Sequence, residues 1–240
     1  MQTAKQSTYK IADENLTRSL SCYDLGLVKY SDAWELQKEL YRLRLNGEIS
    51  DTLLLLEHPH VYTLGKAANE ENVIAKPEFI KAHGIEIFEI DRGGDVTYHG
   101  PGQIVGYAIL NLAEWKKDAH EYLRATEKTI IRTCAEYGIE TERHPKYTGV
   151  WRGDNKICAI GVKISRWITM HGFAFNVNTD LKMFDGIIPC GIKEKGVTSL
   201  SRELNREISL DEVKKKIVKN FAEVFGYENF TFNAGYPVLN

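Results

Sequence analysis

The sequence predicts an α+β protein. Short apolar or alternating runs at 52–56, 85–90 and 103–110 read as strands. Longer amphipathic runs with capping residues, at 118–137 and from Ser209 onward, read as helices. The two kinds are mixed without regular βαβ alternation, which points away from a doubly wound parallel sheet. No Pro/Ser-rich linker, repeat or low-complexity run divides the 240 residues, so a single domain over 1–240 is expected.

Taken in order, Ser31-Asp32 is positioned to cap a helix whose Ala33, Leu36, Leu40 and Leu43 form one apolar stripe, ending near Asn46-Gly47. Thr52-Leu53-Leu54-Leu55-Leu56 reads as a buried strand. It runs through Glu57-His58-Pro59-His60 into Val61-Tyr62-Thr63-Leu64-Gly65. Ile85–Ile90 alternates, so a strand with one wet face delivers the chain to Arg92. Gln103–Leu110 is the next strand. The helix from about Asp118 to Tyr137 stops at Gly138, where a left-handed residue is usual. Thr198 or Ser199 caps a short helix. A last helix, about 209–226, opens with the capping box Ser209-Leu210-Asp211-Glu212 and buries Val213, Ile217, Phe221 and Val224.

Composition sets limits on function. The chain is 43% hydrophobic and 27% charged, with a formal net charge of −2, which argues against a bulk nucleic-acid footprint. The first 25 residues lack an apolar signal core and carry Asp13 and Glu14, so neither a secretory signal nor a transit peptide is read and a cytoplasmic location is expected. No apolar run is long enough for a membrane span. The cysteines, Cys22, Cys134, Cys158 and Cys190, lie too far apart for a CxxC-type metal or redox site, and no disulfide framework is expected.

Chemistry concentrates in Arg92-Gly93-Gly94-Asp95-Val96-Thr97-Tyr98-His99-Gly100-Pro101-Gly102-Gln103. Adjacent glycines admit close backbone approach to a ligand, and the arginine and histidine supply charge or proton transfer. A second pattern lies in Lys156–Ser165 and Ile168–Val177, separated only by Arg166-Trp167. A two-residue hairpin pairs Ser165 with Ile168, Gly161 with Gly172 and Ala159 with Ala174. Four small residues then share one sheet face, with Cys158, Ile160, Val162 and Ile164 on the other. The bare patch leaves room either for a ligand or for a closely packed helix or ring.

Cys190, between Pro189 and Gly191, stands in a constrained loop rather than in an apolar periodic run like those of Cys134 and Cys158. It reads as a displayed nucleophile or as a buried loop residue. A free thiol has a pKa near ~8.5, so a nucleophilic role requires a nearby cation, from Lys156, His99 or Lys193. Lys156 is otherwise an exposed hairpin lysine. Strict alternation sets it on the face opposite Ala159 and Gly161, so a twist or bulge must bring it round. His58 and His60 resemble a ligand pair, yet no third partner stands at metal spacing, and no metal is expected. His171 is read as structural.

Together these segments resemble the lipoate-biosynthesis octanoyltransferases. The resemblance rests on Arg92–Gln103, Lys156-Ile157-Cys158-Ala159-Ile160-Gly161, His171-Gly172-Phe173-Ala174, and Pro189-Cys190-Gly191-Ile192 followed by Thr198-Ser199-Leu200. It spans about residues 53–203, with 34 positions from Lys156 to Cys190. It implies a mixed sheet flanked by helices, shared with biotin and lipoate protein ligases. It also implies an octanoyl (or lipoyl) group carried on the phosphopantetheine of acyl carrier protein. The acceptors it implies are lipoyl domains of 2-oxoacid dehydrogenase E2 subunits and the glycine-cleavage H protein. Cys190 would hold the acyl group as a thioester and Lys156 would lower its pKa. Arg92, Gly93, Gly94, Asp95, Val96, Thr97, Tyr98 and His99, with Ala159, Ile160, Gly161, Gly172, Phe173 and Ala174, would line the acyl and acceptor-lysine site. No ATP and no metal are implied, and a monomer is expected.

The acceptor amine must lose a proton, and Lys156 and His99 are both candidates for the base. Lys193, Lys195, Arg202 and Arg206 either steer acidic partners or form a solvated face. Three rivals make different predictions. A ligase on the same fold requires ATP. A cysteine hydrolase releases free octanoate without an acceptor. A non-catalytic binding module keeps its function in Cys190→Ser.

Overall fold

The computed structural model of the chain describes residues 18–188 and 195–239. In chain order the elements are β1 (Ser19–Leu27), α1 (Tyr30–Leu45), β2 (Asp51–Glu57), β3 (Val61–Leu64), α2 (Pro77–Ala82), β4 (Glu86–Glu89), β5 (Val96–His99), β6 (Gln103–Ile109), α3 (Ala119–Ala135), β7 (Glu142–Arg143), β8 (Val150–Arg152), β9 (Asn155–Ser165), β10 (Ile168–Asn176), β11 (Gly196–Val197), α4 (Leu200–Leu204), α5 (Leu210–Phe225) and β12 (Asn229–Ala234).

The alternation of β2 explains the layering. Leu53 and Leu55 join Ile104, Phe173 and Phe175 beneath α3 and α5, while Leu54 and Leu56 join Val105, Tyr107 and Ala174 beneath α1. A strand buried on both faces must lie inside a sheet, and β2 does. The large sheet runs β12-β1-β2-β6-β10-β9-β8-β7, with β11 added beside β9. It is mixed: β12, β1 and β2 are parallel, β2 to β7 pair antiparallel, and β11 runs parallel to β9. The smaller sheet, β4-β3-β5, pairs β3 parallel to β4 and antiparallel to β5.

The hairpin forms in the expected register, with Ser165 facing Ile168, Gly161 facing Gly172 and Ala159 facing Ala174. Arg166 and Trp167 adopt φ of 50° and 66°, the doubly left-handed turn that matches strand twist. Cys158, Ile160, Val162 and Ile164 pack in the layer of α3 and α5, as alternation requires. The α5 helix is capped as the box predicts, Ser209 accepting from the Glu212 amide, and Ser199 rather than Thr198 caps α4.

Elsewhere tertiary packing overrides local signals. The first helix starts at Tyr30 without a side-chain cap, because Tyr30 is itself buried and the Ser31 hydroxyl donates to Asp32 instead. The 85–90 strand has no single apolar face. Ile85 and Ile90 are buried in different clusters, and Ile87 is 45% exposed on an edge strand. The edge strand β12 and its neighbour β1 lack a decisive apolar pattern and are held by their backbone ladder.

Candidate active site

The bare patch of the hairpin faces a slot rather than a packed helix. Ala159, Gly161, Gly172 and Ala174 form its floor on the large sheet, with Val105 and Tyr107 beside them. Val96, Thr97 and His99 of β5 and the Arg92–Asp95 loop form its roof. The slot is narrow, with a cavity volume of about 50 Å³. Glycine at 161 also admits the roof, since a Cβ there would stand 3.0 Å from the Arg92 side chain and the Gly93 carbonyl.

Lys156 reaches the slot because β9 bulges. Val150 pairs with Cys158 but Trp151 pairs with Lys156, leaving Ile157 as the extra residue. Ile157 and Cys158 therefore both enter the same hydrophobic layer, and Lys156 is rephased onto the face of Ala159. It is 6% exposed, not an exposed hairpin lysine. Its ammonium lies 4.8 Å from the Trp151 ring centre, a cation–π distance. Gly149, with φ of 131°, packs beside the stem: a Cβ there would stand 3.5 Å from the lysine methylenes, and its close approach, 2.6 Å, would be to the Cys158 carbonyl oxygen. Lys156 also borders a surface groove walled by Leu123, Lys146, Tyr147 and Thr148. Groove and slot thus share a border along Lys156, Ile160, Gly161, Gly94 and Asp95.

The glycine-rich loop is held in place by its own polar groups. The Arg92 guanidinium donates to the Thr63 carbonyl (2.7 Å) and hydroxyl (3.0 Å) and to the Gly93 carbonyl (3.1 Å). The Gly93 amide donates to the Val162 carbonyl at 2.9 Å, which docks the loop on β9. Asp95 accepts from the Val96 amide (2.7 Å) and the Asn72 side chain (2.6 Å), so its carboxylate braces the loop while bordering the slot.

His99 is fixed in one tautomer. Gln103 Nε2 donates to the Tyr98 carbonyl and to Asn176 Oδ1, so Gln103 Oε1 accepts, and His99 Nδ1 must carry the proton at 2.8 Å. Asn176 Nδ2 in turn donates to the Thr198 carbonyl, and the Thr198 amide donates to the Lys156 carbonyl. Burial, with His58 and Arg92 nearby, holds the His99 imidazole well below its ordinary pKa. It is a neutral ring whose Nε2 faces the Thr63 hydroxyl at 3.5 Å.

His58 has both nitrogens occupied, Nδ1–H donating to the Val28 carbonyl and Nε2 accepting from the Tyr107 hydroxyl. Burial lowers its pKa from 6.5 to about 4. The unfolded chain therefore binds the extra proton between those values, and stability contributed by this residue is complete above pH 6.5 and declines as pH falls toward 4. The loss approaches about 3 kcal/mol from a shift worth ~1.4 kcal/mol per unit. Denaturant unfolding at pH 7.5 and 4.5 should show it, and His58→Gln should have a shallower pH slope.

The structure corrects one expectation. Tyr98 does not line the slot: β5 alternation turns it into the cluster with Tyr62 and Phe184, where its hydroxyl bonds His60 Nδ1. Phe173 borders the slot, yet its ring packs over Gly106 in the layer of α3 and α5. Gly93 borders the groove rather than the slot. Arg92, Gly94, Asp95, Val96, Thr97, His99, Lys156, Ala159, Ile160, Gly161, Gly172 and Ala174 do border the slot. His171, read as structural, also borders it, held by Asp91. Tyr30, Tyr107 and Asn176 escaped the sequence reading; aromatic and amide residues in strand or helix runs carry no local mark of a site.

Cys190 lies outside the described residues, as do Pro189, Gly191 and Lys193. On the near sides, the Ile188 amide bonds the Asn72 carbonyl, and β11 pairs Val197 with Lys156. The other three thiols are buried. Burial pushes Cys22 and Cys134 up to about 12, and Cys158 well above 9.0. Among the described residues no group of three or more His, Cys, Asp and Glu is placed to hold a metal. No helix of the described residues is long and apolar enough to cross a membrane.

Comparison with known proteins decides the family. The model of the lipoyl protein ligase A/B catalytic domain matches residues 29–222, four-fifths of the chain. The chain belongs to that family. Within it, the octanoyltransferase of Rubrobacter xylanophilus is 59% identical over 203 residues, covering 84% of this chain and 91% of the relative. A bi-partite lipoate protein ligase of Thermoplasma acidophilum superposes with a TM-score of 0.70 at 15% identity, over 92% of this chain and 88% of that one. The biotin protein ligase of Aquifex aeolicus gives 0.53 at 15%, over 86% and 70%. At that identity the ligases share the fold, a mixed sheet with flanking helices, as the resemblance implied. The closer likeness is to the octanoyltransferases.

Proposed function

We propose that this chain is an acyltransferase that moves an octanoyl group from acyl carrier protein to a specific lysine of a lipoyl domain or glycine-cleavage H protein, through a thioester on Cys190. The observation that carries the reading is the meeting of an apolar slot and an open groove along a border that includes Lys156, in a chain 59% identical to an octanoyltransferase. The slot suits an alkyl chain, the groove suits an incoming lysine or pantetheine arm, and β11 returns the chain beside Lys156 just beyond the segment bearing Cys190.

In the first half-reaction Cys190 thiolate attacks the thioester carbonyl and the phosphopantetheine thiolate leaves, taking a proton. In the second, the neutral acceptor amine attacks the octanoyl-cysteine, loses a proton, and Cys190 leaves as thiolate. Thioester energy drives amide formation without ATP. Lys156 is the better candidate for moving both protons, because it borders slot and groove together. His99 is tied to Gln103 and held neutral within the roof, which suits a role in shaping the slot.

Intact-protein mass spectrometry tests the thioester. After mixing with octanoyl-acyl carrier protein and no ATP, the wild type should gain one octanoyl group, sensitive to hydroxylamine and chased onto a lipoyl domain. Cys190→Ser should gain none. Transfer that requires ATP, or that survives in Cys190→Ser, would sink the mechanism.

A further inference from the structure

His171 is in the slot only because its backbone is left-handed. In β10, Phe173 and Phe175 point into the layer of α3 and α5, and Ala174 points to the slot. Alternation would send His171 with the phenylalanines. Instead it has φ of 59°, a conformation costly for a residue with a Cβ, and its side chain turns into the slot. Neighbouring polar groups hold the distortion. The His171 amide donates to Gln37 Oε1 at 2.9 Å, and Nε2–H donates to Asp91 Oδ1 at 2.9 Å. Lys163 pairs with the second oxygen of Asp91. The ring is 2% exposed and meets Tyr107 edge-on with centroids 6.3 Å apart.

Its position is the end of the slot away from Lys156. Along β9 the floor passes Lys156, Ala159 and Gly161, and His171 pairs with Val162, the next residue. There the loop crosses and docks, through the Gly93 amide on the Val162 carbonyl and Asp91 on His171. From Ala159 to Val162 is roughly 10 Å of strand. An extended eight-carbon chain is also roughly 10 Å long, at about 1.3 Å per carbon for a zigzag of ~1.5 Å bonds.

We infer that His171, set by its left-handed backbone and anchored by Asp91, is the end stop that limits the acyl chain to about eight carbons. This rests on the acyl-transfer reading above. The discriminating variant is His171→Gly, which removes the stop while glycine adopts the same φ without strain. Transfer kinetics with octanoyl-, decanoyl- and dodecanoyl-acyl carrier protein should show the dodecanoyl-to-octanoyl ratio of kcat/KM rising at least tenfold. His171→Asn, a smaller residue that tolerates left-handed backbone, should give an intermediate ratio. A ratio unchanged in a folded His171→Gly protein would overturn the end stop. A parallel measurement needs no transfer: stabilisation of wild type and variant by free fatty acids of eight to twelve carbons. The optimum should lengthen in the variant, and an unchanged optimum counts against the inference even where transfer itself is absent.

Discussion

Lys156→Met lowers octanoyl transfer on the order of 10²- to 10⁴-fold, the range that positioned proton transfer contributes. Methionine keeps much of the stem's length and its packing near Gly149 and Trp151, so the loss reflects the amine. Two readouts separate this from a folding defect. Thermal unfolding should move little. Alkylation of Cys190 by iodoacetamide near neutral pH should slow, because a thiol without its cation is less ionised. Lys156→Arg should not restore transfer, since a guanidinium supplies charge but cannot give and take a proton at working pH. Full activity in Lys156→Met would return the proton-transfer role to another group.

Ala174→Phe blocks the slot and spares the reacting groups. Ala174 is buried on the floor opposite Ala159, and an aromatic ring there projects into the slot that the acyl chain would fill. Excluding about six methylenes forfeits about 5 kcal/mol at ~0.8 kcal/mol each, or on the order of 10³ in kcat/KM for octanoyl substrates. Acetyl transfer, which does not need the slot, should fall far less. The overpacking cost, ~1–3 kcal/mol, is measurable by unfolding and can be set apart from the substrate effect. If octanoyl and acetyl transfer fell together, the acyl chain would have to lie elsewhere.

The bare patch was legible from register, since two residues between strand runs fixed which small residues face one another, but register left open whether a ligand or a packed helix or ring covers it. The place of Lys156 was not legible, because alternation sets it on the wrong side and only the bulge at Ile157 brings it back. Tyr98 failed for the converse reason. It stands inside the glycine-rich motif, and β5 alternation turns it away from Thr97 and His99 into another cluster.

What the sequence determined by itself was local and periodic: the longer helices with the capping box of α5, the hairpin register, the α+β class, and the motifs that mark a chemistry. Tertiary structure decided what depends on residues distant in the chain. It stacked the three-stranded sheet over the bare patch, set the His99 tautomer through Gln103 and Asn176, and turned His171 inward against Asp91. The physical reason is that periodicity records which face a side chain prefers. Departures from it, a bulge or a left-handed residue, are held by partners that a local pattern does not contain.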